Sequence, residues 1–179
     1  MSNAQFIIGL LSKEDVVREI RKNMNALLSA VPELRDVVGF EQHHPHHHLD
    51  AWEHTLLALG YSQNRLATRL ALLFHDIGKP SSCQRGGEVW HYKGHAEKSA
   101  EIAGQILSQN GFEPALGALV CELIKFHDTP LSRADILRDC DFARELYEVQ
   151  RCDAMAHNPV YNDKRIAYLE NIEIILKEF

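Results

Sequence analysis

Apolar residues recur at three- and four-residue spacing along most of the chain, separated by capping and turn-forming residues, which predicts a succession of helices. Ser12-x-x-Asp15 reads as a capping box opening a helix that carries Val16, Val17, Ile20, Met24, Leu27 and Leu28 and is closed by Pro32. Glu33 to Pro45 reads as a loop with room for one helical turn. Asp50 is placed to cap a second helix through Trp52, His54, Leu57 and Tyr61. A third runs from Arg65 to Asp76 and ends at Gly78 and Pro80. His95 opens a fourth, closed by Asn110-Gly111, and others are expected at about 114–126, 139–157 and 161–178. Only the Arg85-Gly86-Gly87-Glu88 turn leaves room for a small β-hairpin, near 83–92, or a mobile flap. The expected architecture is an all-α helical bundle in a single domain, 1–179. It has an N-terminal helix at about 12–30, a core at about 31–160 and a C-terminal helix at about 161–178.

Several apolar stripes end in a residue that can bind a proton or a metal. In the helix at 114–126, Leu116, Leu119 or Val120, and Leu123 lead to His127. Ile106, Ile102 and Ser99 lead back to His95; Phe142, Leu146 and Val149 lead to Asp153; Tyr61 and Ala58 or Leu57 lead back to His54. The run Leu70–Phe74 ends directly in His75-Asp76. Singly, each is explained by a hydrogen-bonded core histidine or a capping carboxylate. Together they are better explained by one or two divalent cations, because burying so many polar groups without partners costs several kcal/mol each, roughly. Neighbours on a helix project about 100° apart, so His75 and Asp76 reach one ion only near a helix end, which Gly78 and Pro80 supply.

The net charge of −6 and the pI near 6.0 argue against strong general nucleic-acid binding, which takes clustered Lys and Arg, and leave space for a small basic pocket. Cys83, Cys121, Cys140 and Cys152 form no C-x-x-C pair and are expected to be reduced thiols. No apolar run reaches the length of a membrane span and no signal peptide is evident, so a cytoplasmic protein without a membrane partner is expected. The oligomeric state is open.

With "FHDIGKP" and the spaced histidines and acids in view, the sequence resembles the HD-domain metal-dependent phosphohydrolase superfamily. The H…HD…D pattern falls on His54, His75-Asp76 and Asp153, and the extra histidines of its two-metal branch fall on His95 in "KGHAEKSAEIA" and His127 in "IKFHDTP". From about residue 31 to 160 the chain looks like the HD portion of bacterial CCA-adding enzymes and poly(A) polymerases. The nucleotidyltransferase head of those enzymes has no counterpart in the first thirty residues, so nucleotide addition is not expected.

What the resemblance implies is a metal-dependent hydrolase of phosphoesters: 2′,3′-cyclic nucleotides, 2′-nucleotides or other small phosphomonoesters. One ion would sit on His54, His75, Asp76 and Asp153, and a second on His95 and His127 with Asp76 bridging. The ions would activate a water, with Asp76 as the central catalytic carboxylate. Imidazole and carboxylate donors suit Fe, Mn, Ni, Co or Zn without choosing among them. Lys79 is placed to bind phosphate as a point charge, although a surface role is as consistent with the sequence; Arg133 and Arg151 are better read as salt-bridge partners. Asp128 is an alternative ligand that the apolar stripe disfavours against His127. Of the six histidines from 43 to 54, only His54 falls on the ligand pattern. His46 or His47 is the candidate to meet a substrate phosphate, His47 being the one carried forward. Two other readings share these residues: a di-iron oxygenase of the HD type, and a non-catalytic nucleotide-binding module.

Overall fold

A computed structural model describes residues 2–179 and shows an all-α fold. Where one N-terminal helix is expected at 12–30, there are two short ones, α2 (Val16–Lys22) and α3 (Met24–Ala30), and they are preceded by a helix the sequence pattern does not announce, α1 (Asn3–Leu11). Ser12 closes α1 rather than opening the next helix, and Asp15 alone caps α2, accepting from the Arg18 N–H at 3.0 Å. Asn23 separates α2 from α3 because its side-chain amide donates to the Glu19 carbonyl at 2.9 Å, competing with continuation of the helix. A 3-10 turn at Pro32–Asp36 fills the loop that follows.

The rest of the chain supplies α4 (Ala51–Gly60), α5 (Leu66–Phe74), α6 (Lys79–Ser82), α7 (His95–Gln109), α8 (Pro114–Phe126), α9 (Arg133–Arg138), α10 (Cys140–Ala156) and α11 (Asp163–Leu176). Asp50 caps α4, accepting from the Glu53 N–H at 2.9 Å. Pro80 does more than end α5. It sits in the first turn of α6, where its missing N–H is no loss. The sequence pattern does not announce α9, a short helix opened by a Ser132/Asp135 capping box.

The expected hairpin near 83–92 is reduced to one antiparallel bridge between Gln84 and His91, and no strand occurs among the described residues. The next donor along, the Trp90 N–H, bonds instead to the His43 carbonyl at 3.0 Å, which ties this segment to the histidine-rich loop.

α5 lies at the centre, packed by α1, α4, α8 and α10, with α7 lying along α8 and α11 along α10. Leu70, Ala71, Leu72 and Phe74 are fully buried, which explains why α5 is apolar on nearly every side. Each large side chain so buried contributes about 1.5–3 kcal/mol. This packing brings the start of α4, the ends of α5, α8 and α10, and the start of α7 to one side of the bundle. His54 lies in the first turn of α4, His75 and His127 directly follow α5 and α8, His95 opens α7, and Asp153 lies in the last turn of α10.

Candidate metal centre

Four histidines face one another here, each oriented by its own backbone contact. His75 Nδ1 meets the Leu72 carbonyl at 2.7 Å, His127 Nδ1 the Ile124 carbonyl at 2.6 Å, His95 Nδ1 the Tyr92 carbonyl at 2.9 Å and His54 Nδ1 the Ala156 carbonyl at 3.2 Å. A carbonyl can only accept, so each Nδ1 carries the hydrogen and each Nε2 is left to face the centre. For His75 and His127 the local cause is the helix end itself: Leu72 and Ile124 lie in the last turns of α5 and α8, and the ring that follows folds back onto their carbonyls, that of Ile124 also taking the His127 N–H at 3.3 Å.

The inward atoms meet closely. His54 Nε2 lies 2.9 Å from Asp153 Oδ1 and 3.3 Å from His75 Nε2, and His75 Nε2 lies 3.5 Å from the same Asp153 oxygen. Asp76 sits between two groups, with Oδ2 3.2 Å from His75 Nε2 and Oδ1 3.5 Å from His95 Nε2. One donor atom each from His54, His75 and Asp153 fall within 4.8 Å of one another, and so do those of Asp76, His95 and His127. A further overlapping trio, His47, His54 and His157, meets the same limit.

The donor set fits a divalent cation. Both Asp76 oxygens and His95 Nε2 are buried without a hydrogen-bond partner among the described residues. The Lys79 ammonium comes within 2.8 Å of Asp76 Oδ2 as a charge, outside the angle of a hydrogen bond. Leaving a buried ionised group unsatisfied costs more than the ~1–3 kcal/mol of a neutral one. Two Nε2 atoms 3.3 Å apart also need a proton or a cation between their lone pairs. Cations held by the two groups would supply partners for these atoms.

Lys79, for which a surface role is equally consistent with the sequence, is buried beside the centre, donating to Gln42 Oε1 at 2.7 Å and lying 3.3 Å from His47 Nε2. His47 lines the same cavity of about 580 Å³, and its Nδ1 is buried without a partner among the described residues. The loop that carries it is held by Asn158, whose backbone and side-chain N–H groups donate to the His46 and Pro45 carbonyls at 2.8 and 3.1 Å. His43, by contrast, packs its ring on Trp90 at 4.1 Å, and Trp90 also meets the Arg85 guanidinium at 4.8 Å. Arg133 pairs with Glu178 and Arg151 with Glu148, and neither lines the cavity.

Three neighbours escape the sequence pattern. His157 stacks on His54 and places Nε2 3.5 Å from Asp153 Oδ1; its spacing of four from Asp153 on α10 is a signal that points to it. Gln42 and Arg165 have no such signal. Arg165, on α11, reaches Asp153 Oδ2 at 2.7 Å. Asp128, which the apolar stripe disfavours, places Oδ2 3.3 Å from His95 Nε2.

Gly78 sets how closely α7 approaches. A Cβ there would lie 2.6 Å from the Ser99 nitrogen and 2.8 Å from the His95 carbonyl, while the Gly78 N–H donates to Ser99 Oγ at 2.9 Å. Gly78→Ala is expected to destabilise the fold by about 1–3 kcal/mol by pushing α7 away. Urea unfolding checks this; an unchanged midpoint would mean that the helix has room to move.

Proton positions in the metal-free centre follow the carboxylates. Burial would lower His75, but Asp76 and Asp153 outweigh it and raise it to about 10. Burial would raise Asp76 and Asp153, yet they are held well below the usual carboxylate range, Asp76 by His75 and Lys79, Asp153 by His157 and Arg165. For His157 burial prevails and lowers it to about 4. His75 therefore contributes stability that is complete below its unfolded value near 6.5 and is lost as the pH rises through about 10. His157 contributes stability that is complete above about 6.5 and is lost as the pH falls through about 4. The metal-free protein should be most stable near neutrality, with its melting temperature falling on both sides. A bound cation takes the place of the His75 proton, so the alkaline fall should disappear in the loaded protein. Melting curves across this range, with chelator and with divalent metal, check both limbs.

Comparison with known proteins agrees with this geometry. The chain is 36% identical over 139 residues to a CC-adding tRNA nucleotidyltransferase of Thermus thermophilus, a match covering 70% of this chain and 32% of that protein. It is 33% identical over 136 residues to an A-adding tRNA nucleotidyltransferase of Deinococcus radiodurans, covering 71% of this chain and 31% of that one. The chain thus spans about a third of the length of these relatives. The sequence profile of the HD domain matches residues 41–158, a stretch that holds the four inward histidines together with Asp76 and Asp153. By that match, and by the His-Asp cluster it encloses, the chain belongs to the HD domain family.

Proposed function

We propose that this protein is a metal-dependent phosphohydrolase acting on a nucleotide-type or other small phosphoester, with 2′,3′-cyclic and 2′-phosphates as the leading substrates. The observation that carries the reading is the pair of donor groups centred on His54/His75/Asp153 and Asp76/His95/His127, opening into a cavity also lined by Lys79, Lys93, Lys164 and Arg165. Acidic donors for cations below and basic side chains around them suit a phosphate held against metal. Fe, Mn, Ni, Co and Zn all accept such donors.

When bound, a divalent ion supplies Lewis-acid polarisation of the phosphoryl group and lowers the pKa of a water towards neutrality, roughly. The chain's own residues do the rest. Lys79 Nζ offers its charge to phosphoryl oxygens in the cavity, and His47, which lines the same cavity, accepts from that ammonium through Nε2 at 3.3 Å and helps to aim it. Gln42 holds the Lys79 ammonium in place, and the Asn158 contacts hold the loop carrying His47. Asp76, shared between the two groups, fixes their separation. Water adds to phosphorus and the ester oxygen leaves with a proton.

The expectation of no strong general nucleic-acid binding rests on net charge. Both relatives are named for tRNA, so a phosphoester at the end of an RNA belongs among the candidates, met by the basic residues of the cavity rather than by a basic surface.

The test is a panel of p-nitrophenyl phosphate, bis-p-nitrophenyl phosphate, 2′,3′-cyclic AMP and 2′-AMP, assayed with each of the five metals on chelator-treated protein. Metal-dependent release of phosphate or nitrophenol is expected. Tight nucleotide binding without turnover under every metal would favour the binding module instead. An oxygen-dependent iron spectrum without turnover would favour the oxygenase.

A further inference from the structure

We infer that Asp128 is a fourth donor to the cation on Asp76, His95 and His127, and that Arg165 is the positioning residue joining it to Asp153; this rests on reading the centre as a two-cation site. Asp128 Oδ2 lies 3.3 Å from His95 Nε2 and 3.6 Å from His127 Nε2, so its carboxylate stands beside both imidazoles of the second group. Asp76, whose side chain is 2% exposed and whose oxygens lack hydrogen-bond partners among the described residues, faces the same space through Oδ1, 3.5 Å from His95 Nε2. Asp76 is shared with the other group, so Asp128 would bring the one full negative charge that belongs to the second group alone. Without Asp128 the second group has only its share of the Asp76 charge.

Arg165 acts on both halves of the centre. Its Nη2 donates to Asp153 Oδ2 at 2.7 Å and its Nη1 to Asp128 Oδ1 at 3.3 Å, while Nη2 also approaches the His127 carbonyl at 3.5 Å. Each carboxylate thus has one oxygen on the guanidinium and turns the other towards the histidines. A planar fork with several donors can do this; a single ammonium can fix only one of the two acids well. Arg165 lies beyond residue 158, where the HD domain match ends, so α11 becomes part of the metal centre rather than a terminal appendage.

The experiment is titration of the metal-free full chain with Mn²⁺, read by electron paramagnetic resonance, alongside Co²⁺ absorption spectra. Wild type is expected to take two ions. Asp128→Asn, which keeps the side-chain shape, should leave the first ion unchanged and weaken the second at least tenfold, with a changed Co²⁺ spectrum for that ion alone. Arg165→Ala should weaken both, and Arg165→Lys should restore part of the loss. Circular dichroism confirms that each variant is folded. An Asp128→Asn protein that binds its second ion as tightly as wild type, or a wild type that takes only one ion, overturns the inference and leaves the first metal group standing. A wild type that takes no ion overturns the metal centre and this inference together.

Discussion

Asp76→Asn is expected to remove bound metal and phosphoester hydrolysis together. The side chain sits between the two donor groups, with both oxygens buried and, apart from the Lys79 ammonium as a charge 2.8 Å from Oδ2, no partner for either among the described residues. An amide of the same shape offers one oxygen instead of two and no charge, so neither group keeps its shared carboxylate. Losing an outer partner of a metal ligand already lowers affinity about 10–100-fold. Loss of the ligand at the junction should exceed that, and kcat should fall with it. Asn keeps the volume, so circular dichroism and the urea midpoint are expected to show a folded protein, with His75 no longer drawn towards its raised pKa by this neighbour. Dialysis against Mn²⁺ and phosphodiester turnover measure the two losses. A variant that retained turnover with its metal lost would separate the chemistry from the cation.

Lys79→Met should give the opposite split. The ammonium lies 2.8 Å from Asp76 Oδ2 and competes with a cation for that oxygen. Removing it should leave metal affinity unchanged or raise it. Turnover should fall all the same, because the point charge beside His47 is gone from the wall of the cavity. Removing one preorganised donor from a charged transition state costs about 10²–10³ in rate, and a comparable loss in kcat/KM is expected here. Methionine fills the buried space but leaves Gln42 Oε1 without its donor, a penalty of about 1–3 kcal/mol that thermal melting should register. Tight metal and slow hydrolysis in the same variant would place Lys79 on the substrate. Unchanged kcat/KM would confine it to balancing the charge of Asp76.

The all-α fold was legible because the apolar spacing is regular through α4, α5, α7, α8 and α10, and the residues facing the centre continue those same stripes. His127 and His75 follow the last turns of α8 and α5, and Asp153 takes a position where a leucine would fit. Periodicity could say that each points inward. It could not say that they converge, which depends on how α4, α7, α8 and α10 pack around α5. The N-terminal region misled for a local reason: Asn23 carries no apolar signal, so the break between α2 and α3 is invisible in the stripe that runs through it. α1 and α9 went unread, and the signals that mark them are the capping boxes Ser2/Gln5 and Ser132/Asp135. Arg165 lay beyond reach, because nothing about an arginine near the start of a C-terminal helix says that it will fold back onto an aspartate twelve residues earlier.

Whether cations bind between these helices is decided by metal content. The protein is prepared without nickel resin, stripped with chelator and dialysed against Mn²⁺, Fe²⁺, Co²⁺ and Zn²⁺ in turn, and bound metal per chain is measured for wild type and for His54→Ala with Asp153→Ala. At least one tightly held ion per wild-type chain is expected, with a higher melting temperature in the loaded protein and loss of that ion in the double variant. Wild-type protein that holds none of the four metals, or a double variant that holds as much as wild type, would contradict it.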